Sequence, residues 1–208
     1  MKEIDFYFDF LSPYSYVAWT WVREQKYKFN YIPVSVPSII SHLGTLGPAQ
    51  IVPKRNYLFK DLLRYTRLNN IPFTTPMQLP FNSLYALRLA LPEVSGSSQK
   101  EVIDAIFRAG WEFGQDIGSD DVLKNILTEA GLPAEEFFAK MESKESRVQL
   151  KSNIGQAIGR NLFGVPSFLV DEEIFWGNDS IKYLEMHLSG SDPLDHEKYK
   201  IFLSKHQF

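Results

Sequence analysis

Apolar and polar residues alternate at the start of the chain. The apolar members of this first run are Ile4, Phe6, Phe8 and Phe10. A period of two predicts a β-strand over residues 4–10 with one strongly apolar face. Pro13 follows at a position suited to the first turn of a helix, with Ser12 as N-cap, and this helix is expected to reach Gln25. A second strand is predicted over residues 27–36, which completes a strand-helix-strand unit with a parallel pair.

The middle of the chain has a mainly helical pattern. A Gly/Pro-rich loop at 42–53 precedes apolar residues at helical spacing. The segment 71–80 contains three prolines and is predicted to be an extended loop. Further helices are expected from Asn82 to Leu91, from the capping box Ser98-x-x-Glu101 to about Phe113, from Ser119 to Gly131, from Pro133 onward, and from about Glu145 to Leu162.

Strand character returns near the end of the chain. Residues 165–170 and 174–176 flank an acidic turn and predict a hairpin, which a helix from Ile181 to Leu188 follows. Strands at both ends with helices between them predict an α/β fold. We expect a thioredoxin-like sheet domain formed by residues 1–41 and 163–190, an inserted all-helical domain at 42–162, and a C-terminal tail at 191–208.

Composition narrows the possible functions. The 208 residues carry a formal net charge of −3 and no cluster of Lys and Arg, so nucleic acid is not an expected partner. No apolar run approaches the roughly 20 residues of a membrane span, and the N-terminus does not resemble a signal peptide, so a cytoplasmic location is expected. The chain has no cysteine, which excludes a thiolate nucleophile of its own. Any sulfur chemistry must use a sulfur that a ligand supplies.

Several polar residues stand where either a structural or a chemical role is possible. Ser12 could simply cap the helix, or it could donate a hydrogen bond to an anion held at the helix N-terminus. Asn178 and Asp179 could cap the last helix, or Asp179 could accept from a ligand ammonium group. The Val165-Pro166 bond could be an ordinary trans bond, or it could expose the Val165 backbone to a ligand. The histidines, at positions 42, 187, 196 and 206, lack the spacing of a metal site, and none is expected.

Three segments together resemble a known family. FDFLSPYSY at 8–16, FGVPSFLV at 163–170 and FWGNDSI at 175–181 are similar in order and spacing to the 2-hydroxychromene-2-carboxylate isomerase and kappa-class glutathione transferase family, a branch of the thioredoxin-like superfamily. The resemblance covers roughly residues 3 to 188. It implies a thioredoxin-like sheet with an inserted helical domain, a homodimer, and reduced glutathione as cofactor.

The resemblance also implies roles for individual residues. Ser12 would hydrogen-bond the glutathione sulfur and favour its thiolate, while Ser15 would stand at the second cysteine position of disulfide-exchanging relatives. Val165, ahead of a cis Pro166, would pair with the cysteinyl backbone of glutathione. The γ-glutamyl end would be held by Trp176, Gly177, Asn178 and Asp179. The candidates for the substrate carboxylate and pocket are Gln50, Lys54, Arg55 and Tyr85. Ser180 stands where the family usually has Arg.

The implied reaction is glutathione-dependent isomerisation. It interconverts 2-hydroxychromene-2-carboxylate and trans-o-hydroxybenzylidenepyruvate without net redox change, so the expected partner is a small aromatic carboxylate. The first alternative is a kappa-like glutathione transferase or peroxidase that acts on electrophiles. The second is a thioredoxin-like binding module without catalytic activity.

Overall fold

A four-stranded sheet joins the two ends of the chain. The structure is a computed structural model that describes residues 2–205. Its strands are β1 (Glu3–Phe8), β2 (Lys28–Pro33), β3 (Ser167–Val170) and β4 (Glu173–Trp176), in the order β2-β1-β3-β4. β1 pairs parallel with β2 and antiparallel with β3, and β3 and β4 form the antiparallel hairpin. Residues at opposite ends of the sequence therefore lie side by side at the centre of the sheet.

One helix joins β1 to β2, helices fill most of the chain between β2 and β3, and two more follow β4. They are α1 (Pro13–Val22), α2 (Val36–His42), α3 (Val52–Leu68), α4 (Leu84–Leu89), α5 (Pro92–Ser95), α6 (Gln99–Trp111), α7 (Asp120–Glu129), α8 (Ala134–Met141), α9 (Lys144–Gly159), α10 (Ile181–Leu188) and α11 (His196–Lys205). Short 3-10 turns lie at Pro48–Gln50, Gly96–Ser98 and Asn178–Ser180. The predicted sheet with a helical insertion is confirmed.

The alternation in β1 separates two apolar layers. Phe6 and Phe8 point to one face of the sheet, where the Phe6 ring stacks on Phe168 at a centroid distance of 5.0 Å and the larger core includes α1 and α6. Tyr7 points to the other face and packs in a smaller cluster with Ile39 of α2 and Ala157 of α9. Both faces of the sheet are thus covered, because helices pack on each side.

The strands end earlier than the sequence pattern predicts. β1 stops at Phe8, where Asp9 turns its buried carboxylate back to backbone N–H groups. β2 stops at Pro33, and helix α2, absent from the sequence prediction, begins at Val36 with a proline in its first turn. The β-branched residues Val34 and Val36 concealed this helix start, since they are typical of strands.

Some predicted caps form and others do not. The side chains of Ser98 and Ser119 precede helices α6 and α7 without making a capping hydrogen bond, so the predicted capping box at Ser98 is wrong. Asn82 Oδ1 accepts from Leu84 N–H at 3.1 Å, but the N-cap position of α4 is occupied by Ser83, one residue later. Ser143, by contrast, caps α9 by accepting from Ser146 N–H at 3.1 Å.

The proline-rich segment 71–80 contains neither helix nor strand, as predicted. Its backbone is tied to the core, since Tyr16 donates its hydroxyl to Pro72 O at 2.5 Å and Thr74 N–H donates to Trp111 O at 2.6 Å. The segment therefore links α1 to α6. Of the helices in residues 2–205, none combines the length and apolarity needed to cross a bilayer.

Candidate active site

Three hydrogen bonds fix the turn between β1 and α1. Asp9 is fully buried; its Oδ1 accepts from Leu11 N–H at 3.0 Å and its Oδ2 from Val36 N–H at 2.8 Å. Burial raises the pKa of Asp9, while hydrogen bonds from the Leu11 and Val36 backbones and the Ser83 side chain oppose that rise. The indole of Trp111 donates to Phe10 O at 2.8 Å. Ser12 is therefore presented by a rigid turn.

Ser12 is the N-cap of α1. Its backbone is extended, with φ −92° and ψ 113°, and its Oγ accepts from Ser15 N–H at 3.2 Å. Because that bond uses a lone pair and not the proton, the Ser12 hydroxyl can still donate to another group. The first turn of α1 carries no acidic residue, so the positive end of the helix dipole is not already neutralised there. Ser12 can cap the helix and donate to an anion at the same time.

Ser15 has a different environment. Its side chain is fully buried, and among the described residues its Oγ has no hydrogen-bond partner. A ligand at the surface of the turn would meet Ser12 and not Ser15.

The FGVP segment lies beside this turn. In the antiparallel register Tyr7 of β1 faces Ser167 of β3, so Val165, two residues before Ser167, lies at the end of the sheet where β1 leads into α1. The Val165-Pro166 peptide bond is cis, as the resemblance implies. Within residues 2–205 the backbone N–H and C=O of Val165 make no hydrogen bond, whereas Pro166 O accepts from Gly177 N–H at 2.9 Å. One free peptide edge therefore lies at the same end of the sheet as the β1–α1 turn.

The Trp176 indole packs on the same segment. It is 52% exposed and lies edge-on to the Phe163 ring at a centroid distance of 5.1 Å. A Cβ added at Gly164 would come within 2.7 Å of Trp176 Nε1, so the indole occupies the space that only glycine leaves. FGVP and FWG thus form one surface.

Gly177 to Asp179 close the site on another side. Gly177 has φ +86°, a conformation that favours glycine, and the following 3-10 turn packs against α1. Neither Asn178, which is buried, nor Asp179, which is exposed, makes a side-chain capping bond to this turn or to α10. The capping interpretation of these two residues is therefore wrong. The Asp179 carboxylate lies near Tyr14, and Tyr14 is the second residue after Ser12.

Sequence reasoning missed the pair formed by Tyr14 and Asp61. The Tyr14 hydroxyl donates to Asp61 Oδ2 on α3 at 2.8 Å. Burial raises the pKa of Tyr14, and the hydrogen bond and charge of Asp61, followed by Tyr57 and Asp179, raise it further. The only indication of this pair in the sequence was the position of Tyr14 within the Ser12–Ser15 turn, and that position does not indicate Asp61 as its partner.

The four predicted substrate residues are not all at this turn. Lys54 and Arg55 are exposed in the first turn of α3, and within the described part of the chain their side chains make no hydrogen bond or ion pair. Gln50 Oε1 accepts from Gly47 N–H at 2.8 Å, which fixes the loop before α3. Tyr85 lies on α4 with the Arg88 guanidinium 4.6 Å from its ring centroid. No described contact joins Tyr85 to Ser12 or to residues 176–179.

No group of three or more potential metal ligands occurs among residues 2–205. His206 lies outside the described residues.

Fold and sequence comparison define the class of protein. Residues 3–189 match the family model of the DSBA-like thioredoxin domain, and the chain belongs to that family. Within it, the chain is 30% identical over 194 residues to the 2-hydroxychromene-2-carboxylate isomerase of Sphingobium xenophagum, covering 90% of this chain and 98% of that one. This places it among the isomerase-like enzymes that the resemblance indicated.

Two further comparisons agree. A solved structure of 2-hydroxychromene-2-carboxylate isomerase superimposes with a TM-score of 0.82 at 25% identity, covering 90% of this chain and 94% of that one. Glutathione S-transferase kappa 2 of Caenorhabditis elegans is 25% identical over 178 residues, which is 79% of each chain. The family match ends at residue 189, so α11 lies beyond it.

Proposed function

We propose that the protein is a glutathione-dependent isomerase that interconverts 2-hydroxychromene-2-carboxylate and trans-o-hydroxybenzylidenepyruvate. The observation that carries the proposal is Ser12, which caps α1 with its lone pair and keeps its proton available at the same end of the sheet as the free Val165 backbone. The named isomerase relatives support the reaction, and the kappa-class relative supports the use of glutathione.

The residues present fit a peptide thiol. Val165 offers one N–H and one C=O, the pair that an extended peptide requires. The exposed Asp179 carboxylate suits the ammonium group of a γ-glutamyl residue, and Trp176 provides an apolar wall. We assign Gly177 and Asn178 to the same end of the ligand, because they hold this segment against α1.

Bound glutathione would supply a thiolate that adds reversibly to the conjugated substrate and allows rotation about the bond that is temporarily single. Ser12 donates to that sulfur, and the N-terminus of α1 adds its positive dipole end. A free thiol has a pKa near 8.5, and lowering it by about two units requires roughly 2.7 kcal/mol. One hydrogen bond to a charged group, about 1.5–3 kcal/mol, together with about 0.3–1 kcal/mol from the helix terminus, is sufficient.

Ser12→Ala tests the proposal against an internal control. Ser143 caps α9 through the same Ser-x-x-Ser pattern, with its Oγ accepting from Ser146 N–H at 3.1 Å, compared with 3.2 Å at Ser12. Each alanine variant should lose about 1 kcal/mol of unfolding free energy, because each removes one N-cap. Only Ser12→Ala should lose most of the isomerase activity. The activity is measured as the spectral change of the chromene carboxylate in the presence of glutathione. Equal activity in the two variants would make Ser12 a structural cap only.

A kappa-like glutathione transferase is the second candidate, and the kappa-class relative favours it. It would use the same thiolate but release a conjugated product. Turnover of a model electrophile without turnover of the chromene carboxylate would select this candidate. A glutathione titration monitored by tryptophan fluorescence tests both enzyme candidates. If glutathione does not bind at millimolar concentration, both are excluded and the non-catalytic thioredoxin-like module is the remaining alternative.

A further inference from the structure

Strand β4 forms one edge of the sheet. It pairs with β3 on one side, and within residues 2–205 no strand pairs with its other side. Gly177 N–H donates to Pro166 O at 2.9 Å, so the preceding pair of the ladder is of the non-hydrogen-bonded type. The two types of pair alternate along an antiparallel ladder, so the N–H and C=O groups of Ile174 and Trp176 point away from β3.

A groove lies along this free edge. Its walls are β4, Tyr183 of α10 and residues 192–194 of the C-terminal tail, and its volume is about 330 Å³. That volume is at the lower end of the range for ligand sites. The tail lies beyond the family match, which ends at residue 189, so the second wall of the groove is an addition to the family fold.

The tail is fixed to α10 and not to β4. Asp192 Oδ2 lies 3.0 Å from His187 Nδ1, and its Oδ1 accepts from Leu194 N–H at 3.0 Å. Ser191 N–H donates to Met186 O at 2.8 Å. Within the described part of the chain no hydrogen bond joins the tail to the backbone of β4. The edge of the strand therefore remains open beside a wall that is held in place.

The groove is acidic. The residues that line it include two carboxylates and no Lys, Arg or His. Both oxygens of Asp192 are engaged in the tail, whereas the exposed Glu173 carboxylate makes no hydrogen bond or ion pair with any described residue. Ser180 lines the groove at the position where the family usually has Arg. The neighbouring cation is Lys182, whose ammonium lies over the Tyr183 ring at 4.7 Å.

We propose that this groove binds an extended peptide segment with basic side chains, added to β4 as a further strand. Ile174 and Trp176 offer two N–H and C=O pairs roughly 6.8 Å apart, a repeat that an extended backbone matches. Glu173 would face a basic side chain, and the exposed Tyr183 and Leu194 supply apolar contacts. The inference goes beyond the proposed function, because it uses the outer edge of β4 and not the thiolate site.

Peptide binding tests the inference without turnover. The probe is acetyl-Lys-Val-Lys-Val-Lys-amide, titrated by ligand-observed NMR in the absence of any thiol. The corresponding peptide with Glu in place of Lys should bind about tenfold more weakly or not at all. Two further forms carry N-methyl groups on the valines or on the lysines. Alternate N–H groups of an added strand face its neighbour, so one methylated form should bind at least about tenfold more weakly and the other nearly as the parent does.

Variants of the strand locate the site. Ile174→Pro removes an N–H that points away from β3, so the fold should persist, as urea unfolding will show, while peptide binding falls at least about tenfold. Ile174→Val retains the backbone groups and should bind as the wild type does. Glu173→Gln should weaken binding about threefold, whereas Glu185→Gln, an exposed carboxylate on α10 outside the groove, should not change it.

Several results would overturn the inference. They are failure of the wild type to bind the basic peptide, equal binding of the parent and both methylated forms, equal binding by folded Ile174→Pro, and equal effects of the two Glu→Gln changes. If Ile174→Pro does not fold, the methylated peptides still decide with the wild type. Self-association of the protein that Ile174→Pro abolishes, without peptide binding, would assign the edge to a second copy of the chain and not to a peptide.

A glutathione titration separates this inference from the proposed function. The probe contains no thiol, and the variants leave Ser12 and Val165 unchanged. If the wild type fails to bind glutathione, the proposed function fails, and the peptide titrations still decide the inference.

Discussion

Asp9 is the residue whose removal should most damage the turn that presents Ser12. Its two carboxylate oxygens accept from Leu11 N–H at 3.0 Å and from Val36 N–H at 2.8 Å, and so join the start of α1 to the start of α2. In Asp9→Ala both donors lose their partner. Asp9→Asn is not conservative here, because its amide has one oxygen for two donors and turns an NH₂ group toward the second.

The size of the effect follows from these two bonds. A buried donor left without a partner costs roughly 1–3 kcal/mol. Leu11 and Val36 are only partly buried, so the lower end applies to each, and Asp9→Ala should lose about 2 kcal/mol or more. That is about twice the loss expected for the Ser12 cap. Asp121→Asn, an exposed carboxylate in the first turn of α7, is the control and should change stability by about 0.5 kcal/mol or less.

Urea unfolding of the variants measures these differences. The pH dependence adds a second readout, since burial raises the pKa of Asp9 above its ordinary value of 3.8. A raised native pKa means that the contribution of this group to stability is complete below about pH 3.8 and declines as the pH rises through the native value. Asp9→Asn should remove that decline. A loss of less than about 1 kcal/mol in Asp9→Ala would refute the reasoning, because then the two N–H groups find other partners.

Two further predictions concern the other side of the site and the start of the tail. Gly164→Ala places a Cβ within 2.7 Å of Trp176 Nε1, so it should shift the tryptophan fluorescence and weaken glutathione binding severalfold, with little change in stability because Trp176 is half-exposed. Gly155→Ala in the interior of α9, where an added Cβ meets nothing within 4 Å, should instead gain about 0.5–1 kcal/mol and leave the fluorescence unchanged; equal spectra for the two variants would contradict the contact. The hydrogen bond from His187 lowers the pKa of Asp192 below 3.8, so Asp192 stabilises the fold above that pH and loses its contribution as the pH falls through the lower native value. The stability difference between the wild type and Asp192→Asn should accordingly shrink below about pH 4, and a constant difference in urea unfolding would show that the bond is not formed.

Local patterns were sufficient for much of the fold. The alternation through Phe6 and Phe8 predicted β1, the Ser12-Pro13 pair predicted the start of α1, and the hairpin of β3 and β4 followed from two short apolar runs around an acidic turn. Each of these signals acts between residues close in sequence. α2 was missed because Val34 and Val36, at its start, are equally suited to a strand.

The site itself depends on contacts between distant residues. Tyr14 and Asp61 are 47 positions apart, and no spacing rule connects them. Asp9 meets Val36 because two parallel strands end at the same edge of the sheet, which only the pairing of β1 with β2 decides.

The strand and helix next to Ser12, the absence of a cysteine nucleophile and the family could all be predicted from the sequence, since they depend on short-range periodicity, composition and motif identity. Only the tertiary structure places Val165 at the end of the sheet where β1 leads into α1, Asp179 near Tyr14, and Asp61 of α3 against the Tyr14 hydroxyl. The physical reason is that strand register and helix rotation are fixed by side chains that meet across the fold, and a linear pattern does not record which side chains meet.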